Sequence, residues 1–432
     1  MTSLIYIIYI ILFIWSFRNS KFAIMVFIAH LPIVPLIHTN GTIPLNNFLS
    51  VIVFYHICVS NRLAKYPSID TRVAKTLVIL LVMTTVTSFC NDIKFVMMHY
   101  GVLTSLLSHI LNAIILMLTT WNILCIIVKH TWDEKIRKSV FYGFVISSAI
   151  LSISLFFSQE LYQLGFTVTE EVAYSERPSG LFADGDCNGL AGFLCLSSAL
   201  ILFYNHIALN NISRISLIVL LLNSSAIFYT QSRMGFICLL SLITYYVLVL
   251  AKKSKRMSFL FYAFCCFLIL CSFTDLFSGV IERLQEGDVR EEFDGDQGRS
   301  AIWVMYLEYM RLSPMNNILW GADRMIFDIV PHNYYIYTYF VSGIIIAVLF
   351  VYVQVHNSII CTHILGIRYV LPLIILTVIP LFFLTDSTII TYYVLAVGII
   401  GSEHFNLHNR MYQYNCPSSP MSLSRCYFVF KC

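Results

Sequence analysis

Four side chains in this 432-residue sequence could do chemistry at a membrane surface. Arg177 stands in SERPSGLFADGDCNG, Arg233 in TQSRMG, Arg299 in GDQGRSAIW and His332 in PHNYYIYTYFVSG. Each lies where a polar loop meets an apolar run. Arginine presents a planar fork of donors that matches phosphate oxygens, and it stays charged at any reachable pH. Several arginines at one surface suit a lipid-linked pyrophosphate. Histidine, with an unperturbed pKa of about 6.5, suits a base or a group that orients an acceptor hydroxyl. Taken singly, each residue has a plainer role. A lone arginine anchors to lipid headgroups or pairs with an acid, and a lone histidine at a helix start caps it. The four on one expected side of a membrane point instead to a shared site. Two Asp-Gly-Asp tripeptides, at 184–186 and 294–296, bring carboxylates close enough to suggest a divalent cation. Two carboxylates without a fuller ligand set read better as turns, so no metal and no cofactor is expected.

The elements that must position these residues follow from composition. Apolar residues make up 58% of the chain and charged residues 12%, against about 45–50% and about 25% in soluble domains. Mean hydropathy is +0.79. These values exclude an ordinary cytosolic enzyme, a disordered chain and a coiled coil. A net charge of +4 is too mild for nucleic-acid binding. Most of the 13 cysteines lie inside apolar runs, where cysteine acts as a small hydrophobe. The matches to Asn-x-Ser/Thr at Asn40, Asn211 and Asn223 are at chance level.

Apolar runs long enough to cross a bilayer as helices fall near 3–17, 22–37, 47–60, 76–91, 102–128, 139–158, 188–207, 215–229, 236–251, 258–274, 332–353, 369–385 and 387–402. The first reads as a membrane segment rather than a removed signal peptide. The expected fold is an all-α, polytopic transmembrane bundle of about 11–13 spans. Residues 1–274 would form an N-terminal bundle, 275–331 a large periplasmic loop, 332–402 the C-terminal transmembrane helices and 403–432 a cytoplasmic tail. Basic residues at 61–75, 129–138 and 252–256 mark cytoplasmic loops. The connections 159–187, 230–235 and 275–331 then face the other side. The last of these begins acidic, from Asp275 to Asp296, and continues with Ile302, Trp303, Tyr306, Tyr309 and Met310 at helical spacing. Such an amphipathic helix suits a membrane surface.

At these residues the sequence resembles the O-antigen polymerase / O-antigen ligase superfamily of bacterial inner-membrane proteins. RPSGLFADGDCNGLA (177–191) is similar to that family's Arg-x-x-Gly-x-Phe segment and the Asn that follows it, here Asn188. TQSRMGFICLL (230–240) is similar to its Ser-Arg turn, and residues 298–323 to its Arg-x-x-x-Trp loop helix with a Pro and a Gly after it. His332, Asn333 and Gly343 fit a ligase-associated pattern of His-Asn, nine residues, Gly, two residues, Gly. Ile346 stands where the last Gly would be.

The resemblance implies a metal-independent glycosyl transfer on the periplasmic face of the bacterial inner membrane. The donor would be an undecaprenyl-pyrophosphate-linked oligosaccharide, and a chain-length regulator protein would be a possible partner. By carry-over, Arg177, Arg233 and Arg299 would bind the pyrophosphate leaving group, and His332 would position or deprotonate the acceptor. Because the bond to pyrophosphate is already activated, charge stabilisation and positioning are what remain for the protein. A polymerase joins repeat units of surface polysaccharide in lipopolysaccharide biosynthesis, whereas a ligase moves the finished chain to lipid A–core. The contrasting expectation is a transporter or flippase for a lipid-linked sugar. It would place ionisable residues near the bilayer midplane, whereas here the spans hold almost no charge. Asp92 and Lys94 lie near an expected outside turn.

Overall fold

Apolar segments that must leave no backbone N–H or C=O unmatched form helices. A computed structural model describes residues 2–33, 38–39, 43–44, 46–59, scattered positions in 110–126, 134–164, 173–175, 177–182, 185–205, 213–245, 262, 266, 299–322, 326–327 and 331–365. These residues are helical apart from a two-residue antiparallel pairing of β1 (His38–Thr39) with β2 (Ile43–Pro44) and a bridge from Ile33 to Phe182. The helices are α1 (Thr2–Arg18), α2 (Ser20–His30), α3 (Asn46–Phe54), α4 (Glu134–Phe156), α5 (Ser158–Gln163), α6 (Cys187–Tyr204), α7 (Arg214–Tyr229), α8 (Arg233–Tyr245), α9 (Arg299–Leu312), α10 (Met315–Trp320) and α11 (Tyr334–Leu365). A π-helical turn, Tyr55–Val59, extends α3. The expected runs at 76–91, 369–385 and 387–402, the acidic stretch before Arg299 and the tail lie outside the described residues, as do most of 102–128 and 258–274.

α4 is central. It packs against α2, α6 and α7, while α6 also packs against α7 and α8, and α1 and α3 close on α2. Ile28, Phe144, Phe182, Phe193 and Phe228 fill the core. The bundle is apolar outside as well as inside, with small polar residues set within it. Ile7, Ile8, Ile10, Ile11, Ile14, Trp15 and Phe17 of α1 are exposed, while Ser147, Ser148, Ser152, Ser198 and Asn223 are buried. Ser152 Oγ donates to Asn223 Oδ1 at 3.0 Å, and Asn223 Nδ2 donates to Ser198 Oγ at 3.0 Å. One amide thus ties α4, α6 and α7 together, the use to which helices in lipid put small polar residues. Asn223 is accordingly a packing residue rather than a surface acceptor. Two helical stretches, Lys135–Phe156 and Tyr334–Tyr352, are long and apolar enough to cross a membrane.

The second of these stretches is not a straight rod. Sequence alone predicts one continuous span over 332–353, but α11 leaves helical geometry at Gly343 (φ 81°, ψ 172°) and folds back. Tyr335 and Gln354 would lie about 28 Å apart along a straight helix, beyond the combined reach of their side chains. Instead the Tyr335 hydroxyl donates to Gln354 Oε1 at 2.6 Å, and the rings of Tyr334 and Phe350 pack with centroids 5.1 Å apart. The reason lies in a second glycine. Gly321 ends α10 at φ 95°, and a Cβ there would stand 2.0 Å from the Val341 carbonyl oxygen; one on Gly343 would stand 2.1 Å from that of Leu319. The two backbones touch, and the Ala322 N–H donates to the Phe340 carbonyl at 2.7 Å. The periodicity of 302–310 is used in the same place. Tyr306 and Met310 are buried with Ala322, Phe340 and Val341, so the buried face of α9 is covered by the first arm of α11.

Candidate functional site

The segment that carries Arg177 is fixed by its own spacing. Gly180 adopts φ 57°, and a Cβ on it would stand 2.5 Å from Ser154 Oγ, so this close approach to α4 needs glycine. Two residues further, Phe182 is buried in the core and bridges to Ile33. Ser154 Oγ accepts the Leu181 N–H at 3.0 Å. Held there, the half-buried Arg177 donates from Nε to the Thr230 carbonyl at 3.2 Å and from Nη2 to Asn188 Oδ1 at 2.9 Å. Ser232 Oγ donates to the same Asn188 oxygen at 2.9 Å. Thr230 and Ser232 form the turn between α7 and α8, in which Gln231 takes φ 51°. Arg233 follows directly as the first residue of α8. Arg177 and the Arg233 turn are therefore joined through one amide.

Asp186 caps α6, accepting from the N–H groups of Asn188 at 3.0 Å and Gly189 at 3.2 Å. Asp186 of the first Asp-Gly-Asp tripeptide thus serves a helix start, which is a usual task for Asp. The second lies outside the described residues, and among the described residues no group of three or more His, Cys, Asp or Glu could hold a metal ion.

Arg299 opens α9. One turn on, Trp303 Nε1 donates to the Pro331 carbonyl at 2.6 Å, which fastens α9 to the residue before His332. His332 takes φ 44°, and Asn333 caps α11 through the N–H groups of Tyr335 at 3.0 Å and Ile336 at 3.2 Å. Solvent reaches His332, yet surrounding protein removes enough water to lower its pKa below the usual value. The charge of Arg299 lowers it further, and that of Asp186 works the other way. His332 therefore lies within electrostatic reach of Arg299 and of the residue that caps α6.

The four segments meet at one end of the bundle, formed by the end of α4, the starts of α6 and α8, the end of α7, and the starts of α9 and α11. Arg177 is tied to the turn that carries Arg233, and His332 interacts with Arg299 and Asp186. Sequence reasoning did not find the junction at Asn188, the nearness of Asp186 to His332 or the Trp303 bond. An Asp two residues before Asn at the head of an apolar run signals a cap. Nothing in the sequence pairs Trp303 with Pro331.

Chemically, this end of the bundle suits an oxyanion. Among the described residues, Arg177 uses two of its five N–H donors, both on neutral oxygens, so these partners position its charge without cancelling it. A His332 ring with lowered pKa is neutral at pH 7 and able to accept a proton. No protein-family model matches the chain, and no curated protein matches it.

Proposed function

We propose that this chain is a multi-pass protein of the bacterial inner membrane and a polysaccharide polymerase, joining undecaprenyl-pyrophosphate-linked repeat units of O-antigen at the periplasmic face. The observation that carries the reading is the setting of Arg177, a guanidinium locked by neutral acceptors to the turn that carries Arg233, at the end of the bundle where Arg299 and His332 also lie. The exposed apolar face of α1 supports the membrane setting. Arg233 and Arg299 each stand first in a helix, the end at which a helix dipole favours an anion.

In this mechanism the acceptor hydroxyl oxygen attacks the anomeric carbon of the donor sugar. The bond from that carbon to the pyrophosphate oxygen breaks, and the electron pair leaves with undecaprenyl pyrophosphate. Neutral His332 takes the hydroxyl proton. Arg177, Arg233 and Arg299 stabilise the charge that grows on the leaving group, an effect worth about 10²–10³ in rate for one well-placed donor.

The test is a deletion strain complemented with wild type, His332→Ala or Arg299→Ala and examined by lipopolysaccharide gel. Both variants are expected in the membrane, with core plus a single repeat in place of a ladder. Unsubstituted core with accumulated lipid-linked polymer would identify a ligase instead. Ile346, fully buried in the core at the position of the ligase pattern's second glycine, favours the polymerase. Normal ladders in both variants would defeat the mechanism.

A further inference from the structure

Asn188 is the point at which two parts of the site are tied, and its chemistry is informative. Arginine only donates hydrogen bonds, so the atom that faces Arg177 Nη2 must be the amide oxygen. The same oxygen takes the Ser232 hydroxyl, each bond being 2.9 Å long. A carboxylate of the same shape could accept both bonds, and more strongly, because its charge would assist them. It would also neutralise Arg177. A carboxylate is present two residues away at Asp186, but there it accepts from backbone N–H groups at the head of α6. Position 188, which touches the guanidinium, is neutral. Thr230, the other partner of Arg177, contributes a backbone carbonyl, which is also neutral.

We propose that Asn188 is a positioning residue that fixes Arg177 to the Ser232 turn while leaving the guanidinium charge uncompensated, so that a carboxylate at this one position switches the anion site off. The inference rests on the preceding reading of Arg177 as a ligand for a pyrophosphate. It adds that the site depends on the absence of charge at residue 188 as much as on the presence of charge at residue 177.

The experiment uses the purified full-length chain in detergent, with inorganic pyrophosphate as the probe by calorimetric titration at fixed low salt. Thermal melting serves as the folding check. Asn188→Asp is expected to melt at or above the wild-type temperature, because both hydrogen bonds persist. It is expected to bind pyrophosphate about tenfold or more weakly, as is Arg177→Ala. Asn188→Ala should show both a lower melting temperature and weaker binding, because the shared acceptor is gone. If Asn188→Asp binds like wild type while Arg177→Ala does not, the inference is overturned and the role of Arg177 stands. If Asn188→Asp melts well below wild type, the neutral amide is a packing requirement and the inference is likewise overturned. If wild type shows no saturable binding, or Arg177→Ala binds as wild type does, the anion site itself fails and this inference falls with it.

Discussion

Replacing Gly343 with alanine probes the reversal of α11. The added Cβ would stand 2.1 Å from the Leu319 carbonyl oxygen and 2.6 Å from the Trp320 nitrogen, backbone atoms that no rotamer change moves aside. Gly343 also holds φ 81° and ψ 172°, a region essentially reserved to glycine, at a cost of about 1–3 kcal/mol for another residue. Overlap with packed atoms adds roughly 1–3 kcal/mol, for a total of about 2–6 kcal/mol. The strain falls on one contact, so the end of α10 is expected to lift from α11. Hydrogen–deuterium exchange reads this directly at Ala322, whose amide donates across to the Phe340 carbonyl at 2.7 Å. Losing about 2 kcal/mol of local protection speeds exchange roughly 30-fold. Gly321→Ala should act alike, with its Cβ 2.0 Å from the Val341 oxygen. The double variant should cost less than the sum, because one separation relieves both overlaps. Unchanged exchange over 315–322 in Gly343→Ala, or strict additivity of the pair, would refute the reasoning.

Three further outcomes are expected. His332 has a folded pKa below its unfolded value, so the unfolded state binds more protons across that window. Its contribution to stability is thus present above about pH 6.5 and is lost as pH falls toward the folded pKa. The acid limb of polymer synthesis by the wild-type chain in membrane vesicles should therefore lie below pH 6.5 by direction; the His332 titration, followed by NMR on the purified full-length chain, should move lower in Asp186→Asn and higher in Arg299→Ala, and shifts of the same sign would contradict the assigned charges. Trp303→Phe keeps the apolar ring but loses the bond to Pro331, at about 1 kcal/mol. It should reduce kcat more than it raises KM in the same vesicle assay. Asn223→Ala leaves Ser152 and Ser198 without their shared partner, and should destabilise the bundle by about 1–2 kcal/mol in melting measurements, with the chain still inserted.

The sequence disclosed the site unevenly, for physical reasons. The Arg177–Gly180–Phe182 spacing stands out in the sequence only by its likeness to a family segment, and the fold gives each position its requirement: a guanidinium, a positive φ against Ser154, and a large side chain for the core. The positions of α1 to α4 and α6 to α8 followed from hydropathy, since a backbone in an apolar setting has few alternatives, whereas α5 lies in what hydropathy marks as a connection. The reversal at Gly343 was not legible, because a hydropathy profile records composition and is blind to direction. A lone glycine in an apolar run acquires meaning only once Gly321 is known to touch the same place. The face of α9 was foreseen from Ile302, Tyr306 and Met310, but its partner was not, because Phe340 and Val341 become neighbours only through the fold. Asn188 was visible in a motif, but its role depends on two partners 11 and 44 residues away in the chain.

The clamp around the first arm of α11 has a mechanical consequence. Trp303 grips the chain at Pro331, just before that arm, and Gly321 meets Val341 near its far end. The arm, α9 and α10 therefore form one block, and the block carries both Arg299 and His332. Arg177 and Arg233 belong to another, welded at Asn188. The first arm reaches the main core through Tyr334, with Tyr335 and Tyr337 packed against it. The width of the gap between the two pairs is thus set by how the two blocks seat along an aromatic seam. Widening that seam would separate His332 from the arginines at 177 and 233 while leaving each pair intact.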